Sequence, residues 1–236
     1  MGKDKYIIGI DEVGRGSLAG PVTVAAVALP LKLKTWKSNL LILKSNTGRL
    51  DFPKLKDSKK LSPRQREIWF DYIKKHPKIF YAVANVSPKI IDKINISQAA
   101  NLAATRTLYK LLTFLTIVKN VNRGIGISVF LDGGLYVKKL KIQSSKLKIK
   151  NFKIKTIVRG DEKIPAIMLA SIAAKVSRDK LMCRYGKKFP QYGFAQHKGY
   201  GTKRHFRAIK KYGPSKIHRL TFLRKIIRIK QKDKLF

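Results

Sequence analysis

Cysteine is almost missing: Cys183 is alone among 236 residues, so the chain forms no internal disulfide and builds no cysteine-ligated zinc site. Acids are scarce too, with 13 Asp and Glu against 53 Lys and Arg, a formal charge of +40. That imbalance exceeds what solubility requires and points to a polyanionic partner. Nucleic acid fits better than an anionic membrane, because the cations are spread along the chain and not gathered in one amphipathic or juxtamembrane cluster. A long apolar run is also lacking; the longest weakly polar stretch, Pro165 to Ala174, is too short to cross a bilayer. The opening MGKDKYIIGIDEVG carries acids inside its apolar stretch and no small-residue cleavage pattern, which argues against a signal peptide. Tyr6 stands where N-myristoylation needs Ser or Thr. The expectation is a cytoplasmic, monomeric protein with no membrane contact.

The chain does have enough apolar content, 44% of its residues, to bury a core. Tyr6 to Val13 and Pro21 to Leu29 read as strands joined through the turn GRGSLAG, a hairpin. Residues 31–56 read as a long basic excursion. Ser62-Pro63 supplies a cap and a first-turn proline for a helix to about His76, and Ile79 to Val86 reads as a third strand. Ser87-Pro88 starts a short helix, and Ser97 opens a longer one to about Val118. Ile125 to Leu131 and Phe152 to Val158 read as strands that follow helices, which predicts parallel pairing with the first strand. Pro165 to about Tyr185 is a long helix whose LASIAAKV stretch can pack closely on a sheet, and two further helices are predicted over Thr202 to Lys211 and Pro214 to Ile229. The pattern is an α/β fold with a mixed sheet flanked by helices over residues 1–186, followed by a small helical C-terminal part over 187–236 that binds substrate.

Against such a basic background the acids carry information by their placement. Asp11 and Glu12 end the first strand, Asp132 ends the fourth, and Asp161 follows the fifth. Carboxylates at strand ends beside glycines suit a cleft at a sheet edge. Brought together, they repel unless a cation lies between them, and Mg²⁺ or Mn²⁺ is the hard ion that all-oxygen ligation accepts. Adjacent strand residues face opposite ways, so Asp11 and Glu12 need the twist or bulge that Gly14 and Gly16 permit. Asp57 and Asp71 read as cap or surface residues, while Asp179, next to Arg178, suits an ion pair or a place near the metal equally well.

At this point six blocks line up with a known family. GIDEVGRGSLAGPV at 9–22, KDSKKLS at 56–62, INISQA at 94–99, FLDGG at 130–134, RGDEKIPAIMLASIAAKVSRD at 159–179 and FPQYGFAQHKGYGT at 189–202 together resemble ribonuclease HII. The resemblance implies a ribonuclease H-like fold and a metal-dependent endonuclease that cuts RNA in RNA–DNA hybrids. It also implies nicking 5′ to single ribonucleotides in duplex DNA, leaving 3′-hydroxyl and 5′-phosphate ends by a two-metal-ion mechanism. It assigns catalysis and metal binding to Asp11, Glu12, Asp132 and Asp161, with Asp179 close to the metals. Gly14, Arg15 and Gly16 match the motif that reads the ribonucleotide, and Tyr200 a tyrosine that stacks on the following sugar. Lys59, Lys60, Lys175, Lys198 and Arg204 are candidate phosphate contacts. His197 is a candidate for orienting a phosphate, against an ordinary hydrogen-bonded structural role.

Three departures stand out: Glu162 directly after Asp161, the length of the 31–56 excursion, and the charge itself. Two alternatives remain in view. One is the related type III ribonuclease H or another nuclease of this fold, which Arg15 in GRG disfavours. The other is a basic nucleic-acid-binding protein without catalysis, which gains nothing from carboxylates beside its phosphate track.

Overall fold

A computed structural model describes residues 6–31, 54–119, 126–137 and 152–224. Most of the basic excursion (32–53), Ile125 and residues 225–229 of the last predicted helix lie outside the described residues. The elements are β1 (Tyr6–Val13), β2 (Val22–Pro30), α1 (Pro63–Lys75), β3 (Phe80–Val86), α2 (Pro88–Ile94) and α3 (Ile96–Lys119). They continue with β4 (Ile127–Asp132), β5 (Phe152–Ile157), α4 (Gly160–Lys163), α5 (Pro165–Lys188), α6 (Phe194–His197) and α7 (Lys203–Tyr212). Short 3₁₀ turns lie at Ser58–Lys60 and Pro190–Tyr192.

The sheet order is β3-β2-β1-β4-β5. β1 pairs antiparallel with β2 as the predicted hairpin, β4 runs parallel to β1, and β5 runs parallel to β4. Parallel pairing of both later strands with β1 is therefore corrected for β5, since β2 already occupies the other side of β1.

Strand parity sorts the core into two layers. Tyr6, Ile8 and Ile10 point to the α2–α3 side, where Ala99, Ala103, Leu108, Leu111 and Leu115 are buried. Ile7 and Val13 point to the α1–α5 side with Trp69, Ile73, Leu169, Ile172 and Ala173. A fully buried Leu or Ile contributes about 1.5–3 kcal/mol, so these layers hold the strand ends where the polar site begins. A third cluster of Ala19, Met182, Tyr192, Phe194, Ala208 and Ile217 ties the segment after α5 to the turn between β1 and β2.

Helix signals in the sequence act as expected at two starts. Ser62 forms a full capping box with Gln65 ahead of α1, and the Thr202 side chain accepts from the His205 N–H to open α7. The helix predicted from Pro214 is corrected: helix occupies 220–224, and the stretch before it is a turn at 216–217 followed by a single bridge residue. His218 there bridges Ala19, and the Arg219 N–H donates to Leu18 O at 2.8 Å, so bonds to the β1–β2 turn replace a helical ladder.

α5 lies directly on β1. A Cβ on Gly9 would sit 2.1 Å from the backbone carbon of Ala166, and Ala166, Ala170, Ala173 and Ala174 are fully buried. The contact is backbone on backbone, so no side-chain rotation relieves it. Gly9→Ala is expected to lose at least about 3 kcal/mol or to fail to fold. Gly16→Ala, whose Cβ would meet nothing within 4 Å, should stay within about 0.5 kcal/mol of the parent. Thermal denaturation of both variants checks the pair, and equal losses would refute this account of the packing.

Candidate active site

Asp11 shares the face of Gly9 and points toward α5; Glu12 points to the other face. The β1–β2 ladder runs one-to-one through this region, with Asp11 opposite Ala25 and Glu12 opposite Val24. The expected bulge is thus absent from the described ladder, and the two carboxylates meet another way. The last β1–β4 pair is Ile10 with Leu131, so Asp132 stands beside Asp11 at the end of the neighbouring parallel strand. Asp161 arrives from α4, which starts after Arg159 in the left-handed region at φ 53°. Gly160 N–H donates to Asp132 Oδ1 at 2.7 Å, and Asp161 N–H reaches the same oxygen at 3.4 Å.

The electrostatics couple all four acids. Burial pushes Asp11 well above the usual carboxylate range; Glu12 and Asp132 add to this, against a hydrogen bond from Ser171. Burial raises Glu12, Arg15 pulls it back and Asp132 raises it again. Asp161 is raised by burial, then by Asp132 and Asp57, with Lys59 opposing. Asp132 is therefore the common neighbour. Glu12 also keeps Oε2 buried without a hydrogen-bond partner, while Oε1 lies 2.6 Å from Arg15 Nε. Among the described residues, no three His, Cys, Asp or Glu side chains stand as placed to hold a metal ion. The charges are gathered, and their ligating oxygens stand apart.

Cations border the acids on one side. Asp57 accepts from the Lys59 N–H at 3.0 Å, capping the 3₁₀ turn that carries Lys59 to 3.5 Å from Asp161. Burial pulls the Lys59 ammonium down, but Asp57, Asp161 and Asp11 outweigh it and hold it above its ordinary value. Glu162 turns out to the surface, 3.5 Å from Lys60. Asp179 pairs with Lys175 one helical turn away, at 3.0 Å, so these two candidates engage each other. Asp71 is a surface partner of Lys74 at 2.6 Å. Lys198 donates to Cys183 Sγ and to Ala195 O, and Arg204 donates to Gln196. His197 accepts from the Gly199 N–H through Nδ1 and so donates through Nε2 to Tyr192 O, the structural role weighed for it.

The Gly14-Arg15-Gly16 turn is shaped by two residues that sequence reasoning missed. Arg178, fully buried on α5, donates to Pro21 O, Lys198 O, Ala19 O and Ser17 Oγ at 2.9–3.1 Å. Arg219, also fully buried, donates to Gly20 O, Arg15 O and Gly14 O at 2.6–3.0 Å. Gly14 has φ +89° and a Cβ there would sit 2.3 Å from Arg178 Nε, so its glycine serves the fold. Gly16 instead faces open space. Arg15 bonds Gly134 O at 2.7 Å, joining this turn to the loop after Asp132. Tyr200 is 36% exposed, with the Arg178 guanidinium 5.6 Å from its ring centroid. A signal for Arg178 existed: it continues the buried i, i+4 row Ala166, Ala170, Ala174. Arg219 had none.

A family model, ribonuclease HII, matches residues 8–225. A ribonuclease HII of Endomicrobium trichonymphae is 44% identical over 216 residues, 92% of this chain and 84% of that protein. The crystal structure of ribonuclease H2 from Pyrococcus horikoshii OT3 aligns with a TM-score of 0.65 at 24% identity, over 94% of this chain and 96% of that one. Bst-RNase HIII in complex with Mn²⁺ aligns with a TM-score of 0.65 at 20% identity, over 95% and 70%. At these identities the two structures speak for the fold, a ribonuclease H-like mixed sheet, which types II and III share. The sequence relatives and the family model speak for more, and both point to type II. The chain belongs to the ribonuclease HII family, and is a metal-dependent endoribonuclease of the ribonuclease H type that acts on RNA–DNA hybrids.

Proposed function

We propose that this enzyme also nicks duplex DNA 5′ to a single embedded ribonucleotide, leaving 3′-hydroxyl and 5′-phosphate ends, with Mg²⁺ or Mn²⁺ held by Asp11, Glu12, Asp132 and Asp161. The carrying observation is the mutual repulsion of these four acids about Asp132, beside a turn with an open glycine. The donor set suits a hard divalent cation: it is oxygen only, Asp11, Glu12 and Asp161 are raised in pKa by burial and by neighbouring acids, and Glu12 Oε2 is buried and unpartnered. When bound, such ions supply an activated water and charge stabilisation on the leaving oxygen of an in-line displacement. The Bst-RNase HIII neighbour is described with Mn²⁺, which supports this choice of ion.

The chain's own residues do the rest. Arg15 beside Glu12 and Lys59 beside Asp161 place positive charge next to the acids, where a phosphodiester enters. Gly16 leaves room for a ribose to approach the backbone, and contact with a 2′-hydroxyl is what separates RNA from DNA at one position. Tyr200, partly exposed beside the same turn, stacks on the sugar that follows. Residues 187–236 act as the substrate-binding part, a reading supported by the contacts of Gly199 and Arg219 with the turn. Asp179 and Lys175 form an auxiliary pair near the strand path, with Lys198 at the same cleft.

With Mg²⁺ or Mn²⁺, a duplex carrying one ribonucleotide should be nicked on its 5′ side, and EDTA should stop the reaction. Binding without nicking under either metal would sink the proposal. Asp132→Asn should bind that duplex and leave it uncut, since the amide keeps the bond from Gly160 but loses the charge.

The same variant tests the metal site without turnover. Asp11, Glu12 and Asp161 all have folded pKa values above their unfolded ones, so their contribution to stability is full below about pH 4 and lost as pH rises through the raised values. At neutral pH without divalent ion, Asp132→Asn should therefore melt about 2–4 °C higher than the parent, the shift about 1 kcal/mol gives in a chain of this size. Added Mn²⁺ should raise the Tm of the parent and not of the variant. A lower Tm for the variant, or equal gains with Mn²⁺, would remove Asp132 from the site. Tyr200→Ala should lose about 5- to 150-fold more kcat/KM on the single-ribonucleotide duplex than on a long hybrid, given about 1–3 kcal/mol for a stacking contact; equal losses would remove the junction role.

A further inference from the structure

His205 and His218 are buried together in the segment after α5, 0% and 3% exposed, with their Nε2 atoms 3.0 Å apart. Their protons can be placed by elimination. The Ser215 backbone N–H can only donate, and it lies 2.8 Å from His218 Nδ1, so that nitrogen carries no proton in the neutral ring. His218 Nε2 therefore holds the proton and donates to His205 Nε2. His205 in turn must carry its proton on Nδ1, which lies 2.9 Å from Tyr200 O. The result is a one-way chain: Ser215 N–H to His218, His218 to His205, His205 to the Tyr200 carbonyl.

Both rings are kept neutral. Burial pulls His205 down to about 4, with the charge of His197 adding to it; burial and then His205 do the same to His218. A charged His205 would set two N–H groups against each other across 3.0 Å, and a charged His218 would do so with the Ser215 N–H across 2.8 Å. Packing fixes the ring planes: His205 stacks on His197 at 4.3 Å between centroids and meets the Phe194 ring edge-on at 5.5 Å.

The chain's two ends touch the two sides of the substrate-reading turn. Next to Tyr200, Gly199 O accepts from the Leu18 N–H at 2.8 Å. Next to His218, Ile217 O accepts from Gly20 N–H, and the Arg219 side chain holds the Gly14 and Arg15 carbonyls. We propose that His205 is a positioning residue for substrate choice: through its bond to the Tyr200 carbonyl it fixes the tyrosine relative to the Gly14-Arg15-Gly16 turn. This rests on the reading of Tyr200 as the junction contact. His205 touches no substrate, so its loss changes the preference between substrates more than the chemistry they share.

Two polar replacements separate the bonds. In His205→Asn the amide N–H overlays Nδ1 and keeps the bond to Tyr200; in His205→Gln the amide overlays Nε2 and keeps only the bond to His218. The readout is the ratio of kcat/KM on a single-ribonucleotide duplex to that on a long hybrid, with the Tm of each variant measured alongside. His205→Gln should lower the ratio about tenfold, the effect of losing one buried hydrogen bond. His205→Asn should keep it within about twofold at a similar loss of Tm. If Tyr200→Ala lowers the ratio but both His205 variants change the two substrates in parallel, the inference is overturned and the Tyr200 reading stands. If Tyr200→Ala leaves the ratio unchanged, that reading falls and the inference with it. Nitrogen-15 shifts of the parent's histidines give a check free of mutation. His205 should be protonated at Nδ1 and His218 at Nε2 at neutral pH, and the opposite tautomers or charged rings would overturn the chain.

Discussion

Two buried guanidinium groups set the geometry on which the site depends. Arg178 and Arg219 lie in the interior, where an unpaired cation is costly, and among the described residues neither forms an ion pair with an acid. Burial, and then the charge of Arg178, pull Arg219 down to about 9. Their donors are met mainly by carbonyls: Gly14, Arg15, Ala19, Gly20, Pro21 and Lys198. Losing one such carbonyl would strand a buried charge, which ties the turn down far more firmly than a neutral hydrogen bond would. With its carbonyls drawn inward, the turn leaves Gly16 exposed and the Arg15 side chain free to reach Glu12 and Gly134 O.

That anchoring lets one strand serve two purposes. β1 delivers Asp11 and Glu12 at its end, and the turn that follows carries the residues proposed to read the sugar. Parallel pairing with β4 brings Asp132 alongside, and Arg15 bonded to Gly134 O clamps the turn to the loop after Asp132. The residues proposed to cut and to read are thus fixed to the same pair of strands, and α5 lies on that pair through the Gly9–Ala166 contact. Placement of reacting groups to within fractions of an ångström requires this sort of rigid support.

Much of this was legible in the sequence where it rests on local chemistry. A β-rich alternating run marked β1, a second apolar β-rich run marked β2, and Ser62-Pro63 marked the start of α1 to the residue. The rarity of acids drew attention to Asp11, Glu12, Asp132 and Asp161 before any fold was in hand. Contacts between distant segments were not legible. The Pro214 stretch carries a helix-like pattern, yet its backbone is used by Leu18 and Ala19, about 200 residues earlier. α4 is one turn built around a left-handed Arg159, a conformation that no propensity marks for arginine. His205 and His218 each look like ordinary histidines on basic segments, and only their meeting gives them a role.

Burial, more than residue type, sorts the acids. Asp161 and Glu162 are neighbours with the same charge, on the same short helix, each 3.5 Å from a lysine. Glu162 is exposed and its pairing with Lys60 is screened by water, the kind of contact worth little. Asp161 is buried within reach of Asp132, where the repulsion is not screened and Lys59, itself largely exposed, only partly offsets it. A chain of charge +40 could have neutralised every acid it has with a flexible lysine. At the four acids of the site it does so only in part: Arg15 meets Glu12 and Lys59 reaches Asp161, while the repulsion that Asp132 exerts on Asp11, Glu12 and Asp161 is left standing. A small ion of high charge density would relieve what remains, which is the physical argument for the divalent cation proposed there.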